Sequence, residues 1–290
     1  MTINTICVCG AGTMGSGIAQ VAAQAGLYTI LYELNRSVLS NAEIAINKNL
    51  QSLVDKGKLE AAEKEKITRR IQYTGDIYSC MADVFIEAIA ENTELKVALF
   101  NQLAELNHSE CIFATNTSSL SVTAIASGIK NPERVIGMHF FNPAPIMKLV
   151  EIVKTSYTND KTIQTISELA VLLGKIAVSC KDSPGFIVNR VARPYYIESL
   201  RLAEEGWLDL PQIDQLLEGA GFRMGPFKLM DLIGNDINYA VSCSVYDQLG
   251  KPERLKPSDI QKEKVQAGEL GKKSGKGYYE YRSSPKDPKN

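Results

Sequence analysis

Two side chains have the types and the spacing for acid–base chemistry: His139 and Glu151. His139 is one of only two histidines in the chain. It lies in V-I-G-M-H-F-F-N-P-A-P-I-M-K-L-V-E-I-V, residues 135–153, and Glu151 follows twelve positions later. An imidazole titrates near pH ~6.5 and is the usual general acid or base. A carboxylate bonded to one ring nitrogen sets the tautomer and stabilises the imidazolium. The plainer reading is a satisfied, half-buried histidine at a strand end. The matched acid and the neighbouring Asn142 weigh against it.

Those two residues can meet only if a hairpin positions them. Apolar runs Arg134–Phe140 and Met147–Lys154 flank a turn holding Asn142, Pro143 and Pro145. Short β-branched runs read as strands, and Pro and Asn as turn punctuation. A hairpin centred on Pro145 pairs 139 with 151 and 138 with 152. Directly opposed Cβ atoms are ~4.5–5.5 Å apart, close enough for a hydrogen bond between the side chains.

The hairpin follows a second constellation. Thr5–Cys9 is an unbroken apolar run, the pattern of a strand buried on both faces. It leads into Gly10, Ala11, Gly12, Thr13, Met14 and Gly15, a G-x-G-x-x-G, and then a small-residue helix. The first glycine suits a tight turn, the second lets backbone approach a pyrophosphate, and the third allows close packing. The helix N-terminus offers free N–H groups to phosphate. The following strand, Gly26–Glu33, ends in an acid 23 positions after Gly10. Such an acid accepts from ribose hydroxyls and repels a 2′-phosphate, which favours NAD over NADP; Arg36 nearby partly offsets this and keeps NADP open. The alternative is a structural loop that binds no phosphate.

Residues 37–70 form a helical excursion with a stop at Gly57. Its Lys48, Lys56, Lys58, Lys64, Lys66, Arg69 and Arg70 read mainly as a solvated face, one or two of which could grip an anionic tail. Strands are expected at Ile71–Thr74, Val84–Ala90, Cys111–Thr115 and Ile176–Ser179, and helices at Glu94–Leu106 and Asp160–Leu173. Glu91 and Asn116–Ser119 fall at strand carboxyl ends, where open α/β sheets bind ligands. Ser118 or Ser119 could equally cap the helix starting near Ser121. After Ser183-Pro184-Gly185 the pattern is helical: Phe186–Glu205, Pro211–Leu217, Phe227–Leu249 and Pro257–Gln266. The expected architecture is α/β, a Rossmann-type N-terminal domain (1–183) with a helical C-terminal domain (184–290).

Composition sets the outer bounds. Of 290 residues, 44% are hydrophobic and 22% charged, with net charge −1, so there is no bulk electrostatic case for nucleic acid or an anionic membrane. No apolar run reaches the ~18 residues of a membrane span. The first residues run almost directly into a strand, so a mature chain starting at or near Met1 and remaining in the cytoplasm is expected. The six cysteines are scattered without a C-x-x-C, and two histidines cannot complete a zinc set. All six are read as reduced core thiols, and no metal is expected.

Seven motifs together resemble the short-chain L-3-hydroxyacyl-CoA dehydrogenases, in particular the single-function bacterial 3-hydroxybutyryl-CoA dehydrogenases. They are G-A-G-T-M-G (10–15), N-T-S-S-L (116–120), H-F-F-N-P (139–143), K-L-V-E-I-V (148–153), S-P-G-F-I-V-N-R (183–190), M-G-P-F-K-L-M-D (224–231) and G-K-K-S-G-K-G-Y-Y-E-Y (271–281). They occur in order over essentially the whole chain. The resemblance implies NAD bound through Gly10, Gly12, Thr13, Met14, Gly15 and Glu33, with Glu91, Lys96, Asn116, Ser118 and Asn142 around the ribose and nicotinamide. It implies His139 as base, Glu151 as its orienter, and Ser118 and Asn189 positioning substrate oxygens. It places Lys56 at the acyl-CoA site, where Asn49 stands in for a serine found in some members. Glu33 likewise replaces the usual aspartate. It further implies a homodimer formed through the C-terminal domain. The competing readings are a CoA-free hydroxy-acid dehydrogenase of gulonate type and a non-enzymatic dinucleotide binder of lens-crystallin type.

Overall fold

The computed structural model describes residues 2–281. By contacts the chain divides into two compact units, one ending at Ser183 and one beginning at Pro184. Residues 282–290 of the expected second domain lie outside the described residues.

The first unit is built on one eight-stranded sheet. Its strands are β1 (Thr5–Cys9), β2 (Tyr28–Tyr32), β3 (Ile71–Thr74), β4 (Val84–Glu87), β5 (Ile112–Thr115), β6 (Val135–Phe140), β7 (Leu149–Lys154) and β8 (Ile176–Lys181). The order is β3-β2-β1-β4-β5-β6-β7-β8. All neighbours pair in parallel except β6 and β7. The first six positions therefore have the doubly wound dinucleotide-binding order, and the order reverses between β1 and β4. Helices α1 (Thr13–Gln24), α2 (Arg36–Asp55), α3 (Ala61–Arg69), α4 (Thr93–Leu106), α5 (Val122–Ser127) and α6 (Asp160–Leu172) complete the unit. Two buried apolar clusters hold it together: one includes Ile18, Leu31 and Ile152, the other Phe85, Phe100 and Phe113.

Local signals explain most boundaries. Asn35 accepts from Ser37 N and Val38 N and caps α2. Gly57 (φ +65) ends it: Lys58 N donates to Leu53 O and Gly57 N to Val54 O, the paired bonds of a glycine-terminated helix. Ser121, not Ser118 or Ser119, caps α5 by accepting from Ala124 N. The strand expected to reach Ala90 stops at Glu87. Ala88 N makes the last rung, to Cys9 O, and Ile89 N turns back to the side chain of Glu87. Cys180 and Cys243 are only partly buried, so four of the six thiols, not all six, are core residues.

The second unit is helical: α7 (Val188–Glu204), α8 (Leu210–Gly219), α9 (Pro226–Ile233), α10 (Asn235–Gln248) and α11 (Asp259–Gln266). The single helix expected over Phe227–Leu249 is two. Gly234, at φ +105, breaks it, a conformation a residue with a Cβ adopts only under strain. Buried Asp231 then organises the tail: it accepts from Tyr278 N, Tyr279 N and Tyr281 Oη. Two glycines let the tail come that close. A Cβ on Gly271 would lie 2.3 Å from Asp231 O, and one on Gly277 2.0 Å from its carboxylate.

Candidate active site

The loops that carry the chemistry leave the carboxyl ends of the parallel strands. After β1, Gly10 takes φ +99. A Cβ there would lie 2.6 Å from Ala88 O, and one on Gly15 only 1.8 Å from Gly10 O. Both glycines are thus required by the chain's own packing. A Cβ on Gly12 would meet nothing within 4 Å. The space over Gly12 is open, at the N-cap of α1, which no side chain caps. An uncapped helix N-terminus beside open backbone suits a pyrophosphate, so the loop fits a dinucleotide. Thr13 is exposed and Met14 half-buried beside it. Glu33, just past β2, accepts from Ala11 N at 3.2 Å and from Asn35 N at 2.9 Å, which fixes its carboxylate beside that loop.

The histidine pair is met as the turn requires. In the register of β6 and β7, His139 lies opposite Glu151 and Met138 opposite Ile152. His139 Nδ1 is 2.7 Å from Glu151 Oε2. Glu151 is fully buried and His139 is 5% exposed. With an ionised Glu151, Nδ1–H donates, and the lone pair sits on Nε2. Phe141 packs on the imidazole, ring centroids 4.6 Å apart. The turn that carries Asn142 is pinned by a residue the sequence did not single out. Buried Lys175 donates from Nζ to Ala144 O (2.5 Å) and Met147 O (2.9 Å). Burial, with the charge of Lys148, holds its ammonium below the usual lysine range. The same turn lies against α1: a Cβ on Gly17 would touch Ala144 and Pro145 at 3.2 Å.

A second cluster joins the loops after β4 and β5. Lys96, expected around the ribose and nicotinamide, is 1% exposed. Its Nζ lies 2.5 Å from Glu87 Oε1 and 3.0 Å from Glu91 Oε2. Glu91 Oε1 accepts from Thr117 Oγ1 (2.7 Å) and Ser118 N (3.0 Å). Asn116 Oδ1 accepts from Phe140 N at 2.8 Å and so braces β5 to β6. The two carboxylates differ. Burial pushes Glu87 up, against the pull of Lys96. For Glu91 burial also acts upward, but the Lys96 charge and the Thr117 and Ser118 bonds hold it below the usual range. Sequence reasoning missed Glu87, although an acid closing the strand V-F-I-E, all four residues buried, had to be paired.

The remaining expected residues lie on α2 and α7. Asn49, on α2, donates to Gln20 Oε1 of α1 at 3.4 Å, and exposed Lys56 is the C-cap of α2. Asn189 belongs to the second unit, as the second residue of α7; its carbonyl accepts from Arg193 Nε at 2.9 Å. A cavity of about 380 Å³, lined by residues including Glu110, Arg134 and Lys161, opens at the amino ends of β5 and β6, the edge away from these loops. The Cys180 thiol is a poor nucleophile: burial, with the charges of Glu151 and Asp182, pushes it to about 11. No group of three or more potential metal ligands occurs among the described residues.

Comparison with known proteins places both units in one family. Residues 5–183 match the family described as 3-hydroxyacyl-CoA dehydrogenase, NAD binding domain, and residues 185–281 match its C-terminal domain. A 3-hydroxyadipyl-CoA dehydrogenase of Escherichia coli K12 is 48% identical over 98% of this chain, which spans only 60% of that protein's length. A probable 3-hydroxybutyryl-CoA dehydrogenase of Deinococcus radiodurans is 41% identical over 94% of this chain and 99% of its own. The crystal structure of (S)-3-hydroxybutyryl-CoA dehydrogenase from Ralstonia eutropha superposes with a TM-score of 0.93 at 36% identity, over 97% of this chain and all of that one. A glycine loop open at Gly12, a histidine paired with a buried acid, and matches to both domain families lead to one conclusion: the chain belongs to the 3-hydroxyacyl-CoA dehydrogenase family.

Proposed function

We propose that this chain interconverts short-chain L-3-hydroxyacyl-CoA and 3-ketoacyl-CoA, (S)-3-hydroxybutyryl-CoA and acetoacetyl-CoA among them. The single observation that carries the reading is the 2.7 Å contact between His139 Nδ1 and buried Glu151. NAD, when bound, supplies the acceptor for the C3 hydride. Every other task falls to side chains. In oxidation Nε2 of His139 takes the 3-hydroxyl proton; in reduction the imidazolium returns it. Glu151 stabilises the charged ring in both directions and holds its tautomer. Ser118 and Asn189 are assigned to the substrate oxygens, and Lys56, with Asn49, to the acyl-CoA tail. Gly10–Gly15, Glu33, Glu91, Lys96, Asn116 and Asn142 are assigned to the cofactor. Glu33 beside Ala11 N favours NAD by repelling a 2′-phosphate.

A second substrate reading has its own support: the 48% identical relative is named for 3-hydroxyadipyl-CoA. Steady-state reduction of acetoacetyl-CoA, a longer 3-ketoacyl-CoA and 3-ketoadipyl-CoA, each with NADH and NADPH, separates these. Turnover of acetoacetyl-CoA with NADH, inhibited competitively by free CoA, is the expected result. Turnover of a CoA-free hydroxy acid instead, or no NADH consumption at all, would overturn the reading in favour of the gulonate-type or crystallin-type alternative. We assign dimer formation to the helical unit, as the family resemblance implies; that unit exposes Leu216 (58%), Phe222 (51%) and Ile237 (50%). Sedimentation at micromolar concentration checks it. A cytoplasmic location belongs to the same reading and is supported by six free thiols, which suit a reducing compartment.

A further inference from the structure

Glu87 is the most enclosed acid at the edge where the strand order reverses. It ends β4, level with Cys9 on β1 and Thr115 on β5. It is fully buried. Both oxygens are engaged: Oε1 accepts from Ile89 N (2.7 Å) and Lys96 Nζ (2.5 Å), Oε2 from Thr115 Oγ1 (2.7 Å). Lys96 in turn bridges to Glu91, the one member of the trio with an exposed side chain, at 40%. Glu91 then gathers Thr117 and Ser118. One ammonium thus serves two carboxylates, one sealed and one open. The sealed one sets where the ammonium sits, and the ammonium sets where the open one points. A long lysine side chain left with Glu91 alone would follow it through several rotamers.

We propose that Glu87 is a positioning residue for the cofactor site, acting through Lys96 on the carboxylate of Glu91 and on the Thr117–Ser118 loop. The proposal rests on the dehydrogenase reading for the identity of the cofactor. It requires no contact between Glu87 and the cofactor. Its effect belongs to cofactor affinity and not to the proton transfer at His139.

The test is a double-mutant cycle on the full chain, read by NADH fluorescence and by kinetics. Glu87→Gln is expected to raise the NADH Kd about tenfold and KM for NADH in step, with kcat at saturating NADH within about threefold. In a Lys96→Met background the added Glu87→Gln change is expected to move Kd by less than twofold, because the glutamate has nothing left to steer. If Glu87→Gln does not fold, Glu87→Asp, which keeps the buried charge but shortens its reach to Lys96, takes its place in both backgrounds with the same expected outcomes. An equal further loss of affinity in the Lys96→Met background overturns the proposal. So does a fall in kcat with Kd unchanged. A wild-type chain that binds NADH but turns over no acyl-CoA would sink the dehydrogenase reading and leave the NADH cycle to judge Glu87.

Discussion

Glu87, Glu91 and Glu151 are the same residue type with three different tasks, set by surroundings. Glu87 is sealed and shares its charge with Lys96; Glu91 is open and held ionised; Glu151 is sealed with an imidazole. The roles assigned to them predict distinct losses. His139→Gln should lower kcat by ~10²–10⁴, the range of a general base, with NADH Kd within about threefold. Glu151→Gln should lower kcat by at least ~10² through the wrong tautomer and the lost charge. Stopped-flow hydride transfer with bound NADH measures both, and a wild-type rate in either variant would remove the pair from the mechanism. The pairing of His139 with Glu151 was legible because one turn separates them. Lys96 was named through the family resemblance; its burial depends on Glu87 and Glu91, whose loops meet it only in the folded sheet.

The elements carry their own tests. The glycine loop divides its residues by what opposes them. Gly15→Ala drives a Cβ to 1.8 Å from Gly10 O and should destabilise the first unit by at least ~3 kcal/mol, read as a lower urea midpoint. Gly12→Ala meets no protein atom within 4 Å, so the midpoint should stay within ~0.5 kcal/mol while NADH Kd rises tenfold or more. Equal effects of the two would defeat the assignment of the space over Gly12 to the cofactor. In the helical unit, Glu269 receives Lys264 Nζ at 2.5 Å and Lys276 Nζ at 2.6 Å, which lowers its carboxyl from 4.5 to about 2. A depressed acid adds stability above its unfolded pKa and loses it as pH falls through the folded one. Wild type minus Glu269→Gln should therefore show a Tm difference that is constant above pH ~5 and shrinks between 4.5 and about 2. A difference independent of pH would mean that the two lysine contacts of Glu269 add no charge-dependent stability. Strand and helix positions were readable from periodicity. The break at Gly234 was not, because continuous apolar spacing hides a glycine whose φ is set by the chain around it.

Among the described residues each unit has its own buried apolar clusters: two against the sheet of the first, and in the second one around Leu200, Phe227 and Met230 and another around Ile197, Val241 and Val245. NADH at 100 times its Kd should add ~2.7 kcal/mol to the unit that binds it. Calorimetry should then show the transition of the first unit rising by roughly 5–10 °C and that of the second rising less. An equal or larger shift in the second transition would contradict a cofactor site confined to Gly10–Gly15, Glu33 and the β4–β5 loops. The amino-acid order by itself determined what depends on near neighbours: the G-x-G-x-x-G turn, the acid after the second strand, and a hairpin whose turn length sets His139 against Glu151. Only the tertiary structure decided the partners of buried charge: Glu87 with Lys96, Lys175 with the carbonyls of Ala144 and Met147, Asp231 with Tyr278 and Tyr279. The physical reason is that a turn or a helix start is fixed by local dihedral preference and spacing, whereas a buried polar atom must take whichever partner the strand order brings to it.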